Sequence, residues 1–204
     1  SGCTYSSPQA AIDDGFANGA DEITIRICPG TFGRVDKDNN DPDITIIGAG
    51  DGEDPTSNTI LTDPGTADIV NLVFGTSTLR GLRITGGGGS GLSNNFATLS
   101  LTNCTISDNH APNYPGGILN SGTLNATNVK VIGNTAGVLG GGILNDGSIT
   151  FAGTNLVAFN QLTNPGANTG SGIYNNPSGT ITGFGNVEVR DNEPPDFQCF
   201  NCPQ

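Results

Sequence analysis

The chain repeats one segment four times, as Gly91-Leu92-Ser93-Asn94, Gly117-Ile118-Leu119-Asn120, Gly142-Ile143-Leu144-Asn145 and Gly172-Ile173-Tyr174-Asn175. Each copy is followed by a run of residues typical of β-strands, at 98–103, 123–128, 148–151 and 179–182. A repeat of roughly 25 to 30 residues indicates stacked units that are individually too small to bury their apolar face. We therefore predict a solenoid built from these coils.

The apolar residues of the repeat predict the core of the solenoid. Ile118, Ile143 and Ile173 occupy the same place in three successive copies, so we expect them to form one inward column. The other predicted inward residues, coil by coil, are Leu99, Leu101 and Ile106, then Leu124, Val129 and Val131, then Ile149, Phe151 and Leu156, and finally Ile181, Val187 and Val189.

Asparagine forms three further columns along the repeats. Asn tolerates left-handed backbone conformations at turns, and stacked Asn amides can form hydrogen bonds from one coil to the next. The three predicted ladders are Asn94, Asn120, Asn145 and Asn175; Asn103, Asn128, Asn155 and Asn186; and Asn109, Asn134, Asn160 and Asn192.

The residues ahead of the repeats predict one helix, at 7–19. Ser7 is a suitable N-cap, Pro8 suits the first helical position, and the Asn18-Gly19 pair ends the helix. Ile12 and Phe16 lie one turn apart, so we expect one apolar face that covers the open end of the solenoid. The predicted organisation is a cap at 1–20, a β-helix at 21–193 and a tail or second cap at 194–204.

The first part of the chain carries a recognisable series of segments: the helical Pro8-Gln9-Ala10-Ala11-Ile12-Asp13, a strand ending in Pro29-Gly30-Thr31-Phe32, and Ile44-Thr45-Ile46-Ile47-Gly48-Ala49-Gly50. This series resembles the start of pectin-lyase-like right-handed parallel β-helices. The Gly-Gly-Ile-Leu-Asn coils resemble the repeats of bacterial surface and polymorphic outer-membrane-type β-helix proteins. The resemblance implies an all-β, right-handed parallel β-helix of about seven coils with an N-terminal capping helix, roughly 35 Å long at the usual strand spacing.

The charge of the chain excludes several classes of partner. The formal net charge is −12, with only seven Lys and Arg residues. Nucleic acids and anionic lipid surfaces are bound through cationic side chains, so neither is an expected partner. An acidic polysaccharide would also be repelled unless a divalent cation bridged it. No apolar run approaches the ~18 residues of a membrane span, so we expect no membrane insertion.

The five cysteines indicate an oxidising compartment. We expect Cys3 and Cys28 to form a disulfide that fastens the helix to the first coil, and Cys199 and Cys202 to close a small ring in the tail. Cys104 is left over and should point inward as a small apolar side chain. The expected location is the outside of a cell, either secreted or on the surface.

Two groups of residues are candidates for catalysis. Polysaccharide lyases of the family that this chain resembles use an Arg or Lys base, and the hydrolases use clustered aspartates. The first group is Asp108, His110 and Tyr114 on one loop, and its alternative is a solvated turn. The second is Arg80 and Arg83, which could hold a sugar carboxylate or could pair with carboxylates of the chain itself.

The loop at 33–43 offers a candidate calcium site. Its residues Asp36, Asp38, Asn40 and Asp41 follow an Asp-x-Asp-x-Asn spacing that suits the oxygen preference of calcium. The pattern departs from an EF-hand, because Asp41 stands at the glycine position and no Glu follows at the twelfth. A solvated acidic loop is the alternative, as it is for Asp51, Glu53 and Asp54 in the next loop. We expect no other cofactor.

Three functions remain open from the sequence. The leading hypothesis is a non-catalytic secreted or surface module, acting as a stalk or as an adhesin-like domain that binds glycans or other surface ligands. The second is a polysaccharide lyase or glycoside hydrolase. The third is ice binding, which would need regular outward ranks of Thr. Thr98, Thr123 and Thr180 align, but Ser148 interrupts them, and we expect no second Thr column beside them.

Overall fold

A computed structural model describes residues 5, 7–166, 169–195 and 198–203. Within them, the strands form three seven-stranded sheets and one three-stranded sheet, all with parallel pairing between successive coils. One turn of the chain runs through sheet 1, then sheet 2, then sheet 3, and sheet 4 lies between sheets 2 and 3 in the later coils. The predicted parallel β-helix of about seven coils is confirmed.

The strand bounds follow this order. Sheet 1 contains Glu22–Arg26, Asp43–Ile47, Thr76–Arg80, Thr98–Thr102, Thr123–Thr127, Ser148–Ala152 and Thr180–Thr182. Sheet 2 contains Gly30–Phe32, Thr59–Leu61, Arg83–Thr85, Thr105–Ser107, Lys130–Ile132, Asn155–Ala158 and Val187–Arg190. Sheet 3 contains Val35–Lys37, Val70–Val73, Leu92–Asn95, Ile118–Asn120, Ile143–Asn145, Ile173–Asn175 and Cys199–Phe200. Sheet 4 contains His110–Ala111, Thr135–Ala136 and Gln161–Leu162, and a short 3-10 helix spans Phe184–Asn186.

The predicted isoleucine column lies in the core. Ile118 pairs with Ile143, and Ile143 pairs with Ile173, in consecutive strands of sheet 3. All three side chains are at most 1 % exposed. Each coil therefore buries its apolar residues against those of the coils above and below, which is how a thin repeat obtains a core.

Leu156 was expected in the core, and this prediction is wrong. Leu156 pairs with Lys130 and Glu188 on the outside of sheet 2, while Val157 takes the inward place beside Val131. The cause is the turn at 153–155, which is one residue longer than the turn at 128–129 in the preceding coil. Since the side-chain period of a strand is two, one extra residue moves the next side chain to the other face.

The same extra residue corrects the second asparagine ladder. Asn128 donates to Asn103 Oδ1 at 3.1 Å, but Thr154 rather than Asn155 follows them in register. Asn155 instead fills the inward place of Val129, where its Oδ1 accepts from the Val129 amide at 2.9 Å. Asn155 therefore does not continue the Asn103–Asn128 column, and Asn186 Nδ2 donates to the Phe151 carbonyl at 3.1 Å rather than to an asparagine side chain.

The other two columns form continuous ladders of buried amides. In one, Asn94, Asn120 and Asn145 each donate to the next Asn Oδ1 at 2.7 Å, ending at Asn175. In the other, Asn109, Asn134 and Asn160 do the same at 2.9 to 3.0 Å, ending at Asn192. Buried amides need such partners, so both ladders fix the spacing and register of neighbouring coils.

The helix spans Pro8–Ala17 and covers the first coil. Ser7 caps it by accepting a hydrogen bond from the Ala10 amide at 3.1 Å. Ile12 is fully buried, but Phe16 is 54 % exposed, so the expected shared face of Ile12 and Phe16 is wrong. A Cβ at Gly15 would lie only 2.9 Å from Ile23, so the helix approaches the sheet through this glycine rather than through Phe16.

The cysteines follow their predicted roles where the structure describes them. Cys199 and Cys202 form a disulfide with a Cα separation of 5.9 Å. Cys104 is a free, fully buried thiol, and burial raises its pKa to about 11. Cys28 is disulfide-bonded. Cys3 lies outside the described residues, so the Cys3–Cys28 pairing stays a prediction.

Candidate functional site

The outer face of sheet 2 carries an ion-paired cluster centred on Arg83. The Arg83 side chain is only 10 % exposed, and its Nη2 lies 3.1 Å from Glu53 Oε1 and 3.4 Å from Asp108 Oδ2. Asp108 lies in the turn after the strand Thr105–Ser107 of the next coil, and Glu53 belongs to the acidic loop at 49–57. Arg83 therefore joins this loop to the body of the solenoid.

Asp51 fastens the same loop one coil further along. Its Oδ2 accepts a hydrogen bond from Thr105 Oγ1 at 2.8 Å and lies 3.6 Å from Lys130 Nζ. Arg83, Thr105 and Lys130 are in register on sheet 2, so the loop at 49–57 lies over three successive strands. Both carboxylates lie beside Arg83 Nη2, which matches the alternative in which Arg83 pairs with carboxylates of the chain itself.

The structure does not assemble the first catalytic candidate. Asp108 pairs with Arg83, His110 is exposed in the strand His110–Ala111, and Tyr114 is 65 % exposed. In the part of the chain that the structure describes, no hydrogen bond joins the side chains of Asp108, His110 and Tyr114. Among the described residues, no hydrogen bond to the His110 side chain orients the imidazole as a general base requires.

Arg80 lies apart from Arg83, at the exposed end of the strand Thr76–Arg80. It lines an open cleft of about 640 Å³ along the corner between sheets 1 and 2, together with Asp51, Asn103, Asn128 and Lys130. Asn128 and Asn103 are bonded to each other, and Lys130 faces Asp51. The cleft can bind a polar group, but it contains no pair of carboxylates suited to glycoside hydrolysis.

Of the candidate calcium residues Asp36, Asp38, Asn40 and Asp41, the structure pairs the carboxylates of Asp36 and Asp41 with protein groups. Asp36 pairs with Arg34 and accepts a hydrogen bond from Asn71 Nδ2 at 2.8 Å. Asp41 Oδ2 accepts from the Asp38 amide at 2.7 Å. Among the described residues, no three His, Cys, Asp or Glu side chains form a group that could hold a metal ion. Calcium binding at this loop stays a prediction without a preformed ligand set.

The outer face of sheet 1 differs from that of sheet 2, because two columns of small polar side chains run along it. The strand register aligns Thr76, Thr98, Thr123, Ser148 and Thr180 in one column, and Thr78, Ser100, Asn125, Thr150 and Thr182 in a second column beside it. All ten are exposed or half-exposed. We call these ten residues the hydroxyl face. Thr24 and Thr45 extend the second column towards the helix.

The second column is one of mixed small polar side chains rather than of Thr, because Ser100 and Asn125 interrupt it between Thr78 and Thr150. Alternate residues of a strand share one face, so Thr76-Ser77-Thr78 and Thr180-Ile181-Thr182 each contribute two outward side chains. An alignment of only the first outward residue of each run does not show the second column. The two columns form a regular array with steps of about 4.8 Å between strands and about 6.6 Å along a strand.

Two exposed aromatic rings border the hydroxyl face. Phe74 and Phe96 lie at the corner between sheets 3 and 1, each two residues ahead of a Thr of the first column. They are 48 % and 66 % exposed, and their rings stack with centroids 5.8 Å apart and an interplanar angle of 22°. We call this pair the aromatic corner. Sequence inspection missed it, because the two residues occupy corners that normally hold Gly, Asn or Asp.

A shallow pocket continues the same surface towards the helix. Its volume is about 260 Å³, and its lining includes Glu22, Thr24, Asp43, Thr45, Thr76 and Thr78. Asp43 Oδ1 accepts a hydrogen bond from the Thr76 amide at 2.7 Å. The charged side chains of this face are thus confined to its N-terminal end and to Arg80 at its border.

Comparison of the chain with protein-family models, curated proteins and solved structures found no match. The structure establishes a parallel β-solenoid of about seven coils, while membership of the pectin-lyase-like superfamily or of the surface-repeat proteins stays a prediction. In the described part of the chain, no helix is both long and apolar enough to cross a membrane.

Proposed function

We propose that this protein is a non-catalytic binding module that recognises neutral glycans through the hydroxyl face. The observation that carries the proposal is the double column of exposed Thr, Ser and Asn side chains over five successive strands of sheet 1. Hydroxyl and amide groups both donate and accept hydrogen bonds, as sugar hydroxyls do. The net charge of −12 favours a neutral ligand over a uronate.

The rigidity of the face supports the proposal. Neighbouring coils are held by the sheet hydrogen bonds and by two buried amide ladders. Thr side chains have restricted χ1 rotamers, and some are also fixed by each other, as Thr182 Oγ1 is by Thr150 Oγ1 at 2.9 Å. A surface that is already ordered loses little entropy on binding, which favours affinity.

The proposed setting is the outside of a cell, where the module would display its binding face on a rod-like stalk. The Cys199–Cys202 disulfide supports this location, because such bonds persist in oxidising compartments. Secretion, surface attachment and a bacterial source remain parts of the proposal.

The test places one Lys at the centre of the hydroxyl face. Asn125→Lys projects a long, charged side chain from the second column, and Ile132→Lys, on sheet 2 of the same coil, is the matched control. Pull-down on insoluble cellulose, chitin, xylan and mannan should show binding by the unmodified protein, about tenfold weaker binding by Asn125→Lys, equivalent to about 1.4 kcal/mol, and no change for Ile132→Lys. No binding by the unmodified protein to any of these would reject the proposal.

Ice binding is the second candidate function, and the regular spacing of the two columns favours it. An ice surface presents oxygen atoms at constant intervals. Columns of hydroxyls that are also evenly spaced could match the spacing of these oxygens. The same two variants decide between the candidates. Inhibition of ice recrystallisation by the unmodified protein, lost in Asn125→Lys and kept in Ile132→Lys, together with no glycan binding, would assign the face to ice.

A further inference from the structure

Three exposed phenylalanines adopt a backbone conformation that phenylalanine rarely takes. Phe74, Phe96 and Phe159 have φ values of 55°, 63° and 58°, in the left-handed region. Among the described residues, every other position with φ in this region holds Gly, Asn or Asp. A bulky residue is strained there.

The solenoid gains little core packing from these rings. Phe74, Phe96 and Phe159 are 48 %, 66 % and 58 % exposed. The corner that holds Phe159 holds Asp108, Gly133 and Asp191 in other coils, so the fold itself does not require an aromatic residue. Strain that is retained without burial is typical of functional positions.

We propose that Phe74 and Phe96 form an apolar platform that contacts a pyranose ring at the edge of the hydroxyl face. This inference rests on the proposed function and names its principal contact. The two rings are nearly parallel and lie in successive coils, so they form one continuous apolar ridge. A sugar ring has an apolar face of C–H groups and a polar rim, and a binding site needs both an apolar surface and a few placed polar groups.

Polar groups flank the ridge on both sides. On the sheet 3 side, Asn95 Nδ2 donates to Asn71 Oδ1 at 2.8 Å, which leaves a second N–H of Asn95 available to a ligand. On the sheet 1 side stand Thr76 and Thr98, both exposed. Within the described residues, no protein group accepts a hydrogen bond from the Thr76 or Thr98 hydroxyl.

The polar flanks favour a sugar over an apolar protein partner. A wholly apolar partner would bury the Asn95 amide and the Thr98 hydroxyl without hydrogen bonds, which is unfavourable. A sugar places hydroxyls around its rim, where these groups lie. The acidic surface excludes a preference for uronates, so the ligand class is a neutral hexose or pentose polymer.

The experiment replaces the rings by a residue that suits the backbone. Asn tolerates the left-handed conformation, so the double variant Phe74→Asn/Phe96→Asn should fold and melt at the same or a higher temperature than the unmodified protein. Phe159→Asn is the matched control, because it relieves the same strain at a distant corner, where the ring already contacts the Arg190 guanidinium at 5.4 Å. The probes are cellohexaose, chitohexaose, mannohexaose and xylohexaose, titrated by calorimetry.

The expected result is at least a tenfold loss of affinity for the bound hexaose in the double variant and none in Phe159→Asn. Equal affinity of the double variant and the unmodified protein would overturn the platform while leaving the proposed function intact. Equal losses in both variants would also overturn it, since the effect would not belong to the aromatic corner. Absence of binding by the unmodified protein to all four probes would overturn the platform together with the proposed function.

Discussion

The outer faces of sheets 1 and 2 belong to the same coils and differ in almost every chemical respect. Sheet 2 carries Arg83 and Lys130, and both are paired with carboxylates of the loop at 49–57 that lies over them. Sheet 1 carries the hydroxyl face. Among the described residues, no ion pair attaches a loop to that face. The cations Arg83 and Lys130 of sheet 2 therefore attach this loop, and the uncharged face of sheet 1 is the one left open to a ligand.

Ligand binding is therefore expected on sheet 1 rather than on sheet 2. Polar groups that already have protein partners gain little from a ligand, because binding must first replace those partners. On sheet 1, the hydroxyls of Thr76 and Thr98 donate to no described protein group, so a ligand that accepts from them would replace only water. A substitution in the core that both faces share should have the largest effect. The smallest expected effect concerns catalysis, which neither face should perform.

Ile143→Asp should have the largest effect. The side chain is 1 % exposed in the middle of the isoleucine column, and burying an unpaired carboxylate costs several kcal/mol, about 4 or more. We expect the middle coils to unfold and both faces to be lost, seen as a large fall in melting temperature by circular dichroism. Leu144→Asp, on the outer side of the same strand, is the control and should melt within a few degrees of the unmodified protein. Similar melting of the two variants would contradict the register of sheet 3.

Stability should next depend on pH through Cys104, which is buried inside the corner between the two faces. Burial raises its pKa from 9.0 to about 11. A raised pKa means that the folded state holds the proton more tightly, so the stabilisation is complete below pH 9 and is lost as the pH rises through 11. The loss over these two pKa units amounts to about 3 kcal/mol. Melting curves from pH 8 to 11.5 should fall more steeply for the unmodified protein than for Cys104→Val, and parallel curves would refute this.

Arg83→Met should have a smaller effect that is confined to sheet 2. Glu53 and Asp108 are well exposed, so they regain water when the guanidinium is removed, and the loss of stability should be about 1 kcal/mol. The loop at 49–57 should become a protease site, while binding to the glycan panel stays unchanged. Loss of glycan binding with an intact fold would move the binding surface to sheet 2 and reverse the comparison between the faces.

The sequence predicted the fold well because a repeat states the same pattern several times. The column of Ile118, Ile143 and Ile173 and the two buried ladders could be aligned from spacing alone. The errors arise where one coil departs from the others. The extra residue in the turn at 153–155 moved Leu156 outward and Asn155 inward, and no local signal distinguishes that turn from a shift of the repeat.

The candidate site was harder to predict, for two physical reasons. The partners of Arg83 lie 30 and 25 residues away in the chain. The strands against which the loop at 49–57 packs are therefore determined by tertiary structure. Phe74 and Phe96 read as ordinary apolar residues, and their exposure follows from backbone angles that a sequence does not display. The second column of small polar side chains, in contrast, could be predicted by applying the period of two to each run.

The smallest expected effect is the absence of catalysis. We predict no lyase or hydrolase turnover on pectate, alginate or neutral glucans, because Arg83 is occupied by two carboxylates and no hydrogen bond joins His110 to Asp108 or Tyr114 in the described structure. An absorbance assay for unsaturated products with added calcium and a reducing-sugar assay would measure it. Turnover that disappears in His110→Ala would place a reaction beside sheet 4, and turnover that disappears in Arg80→Ala would place it in the cleft between sheets 1 and 2. Either outcome would make the paired charges of sheet 2 neighbours of an active centre, and the hydroxyl face would then be the surface that delivers substrate to it.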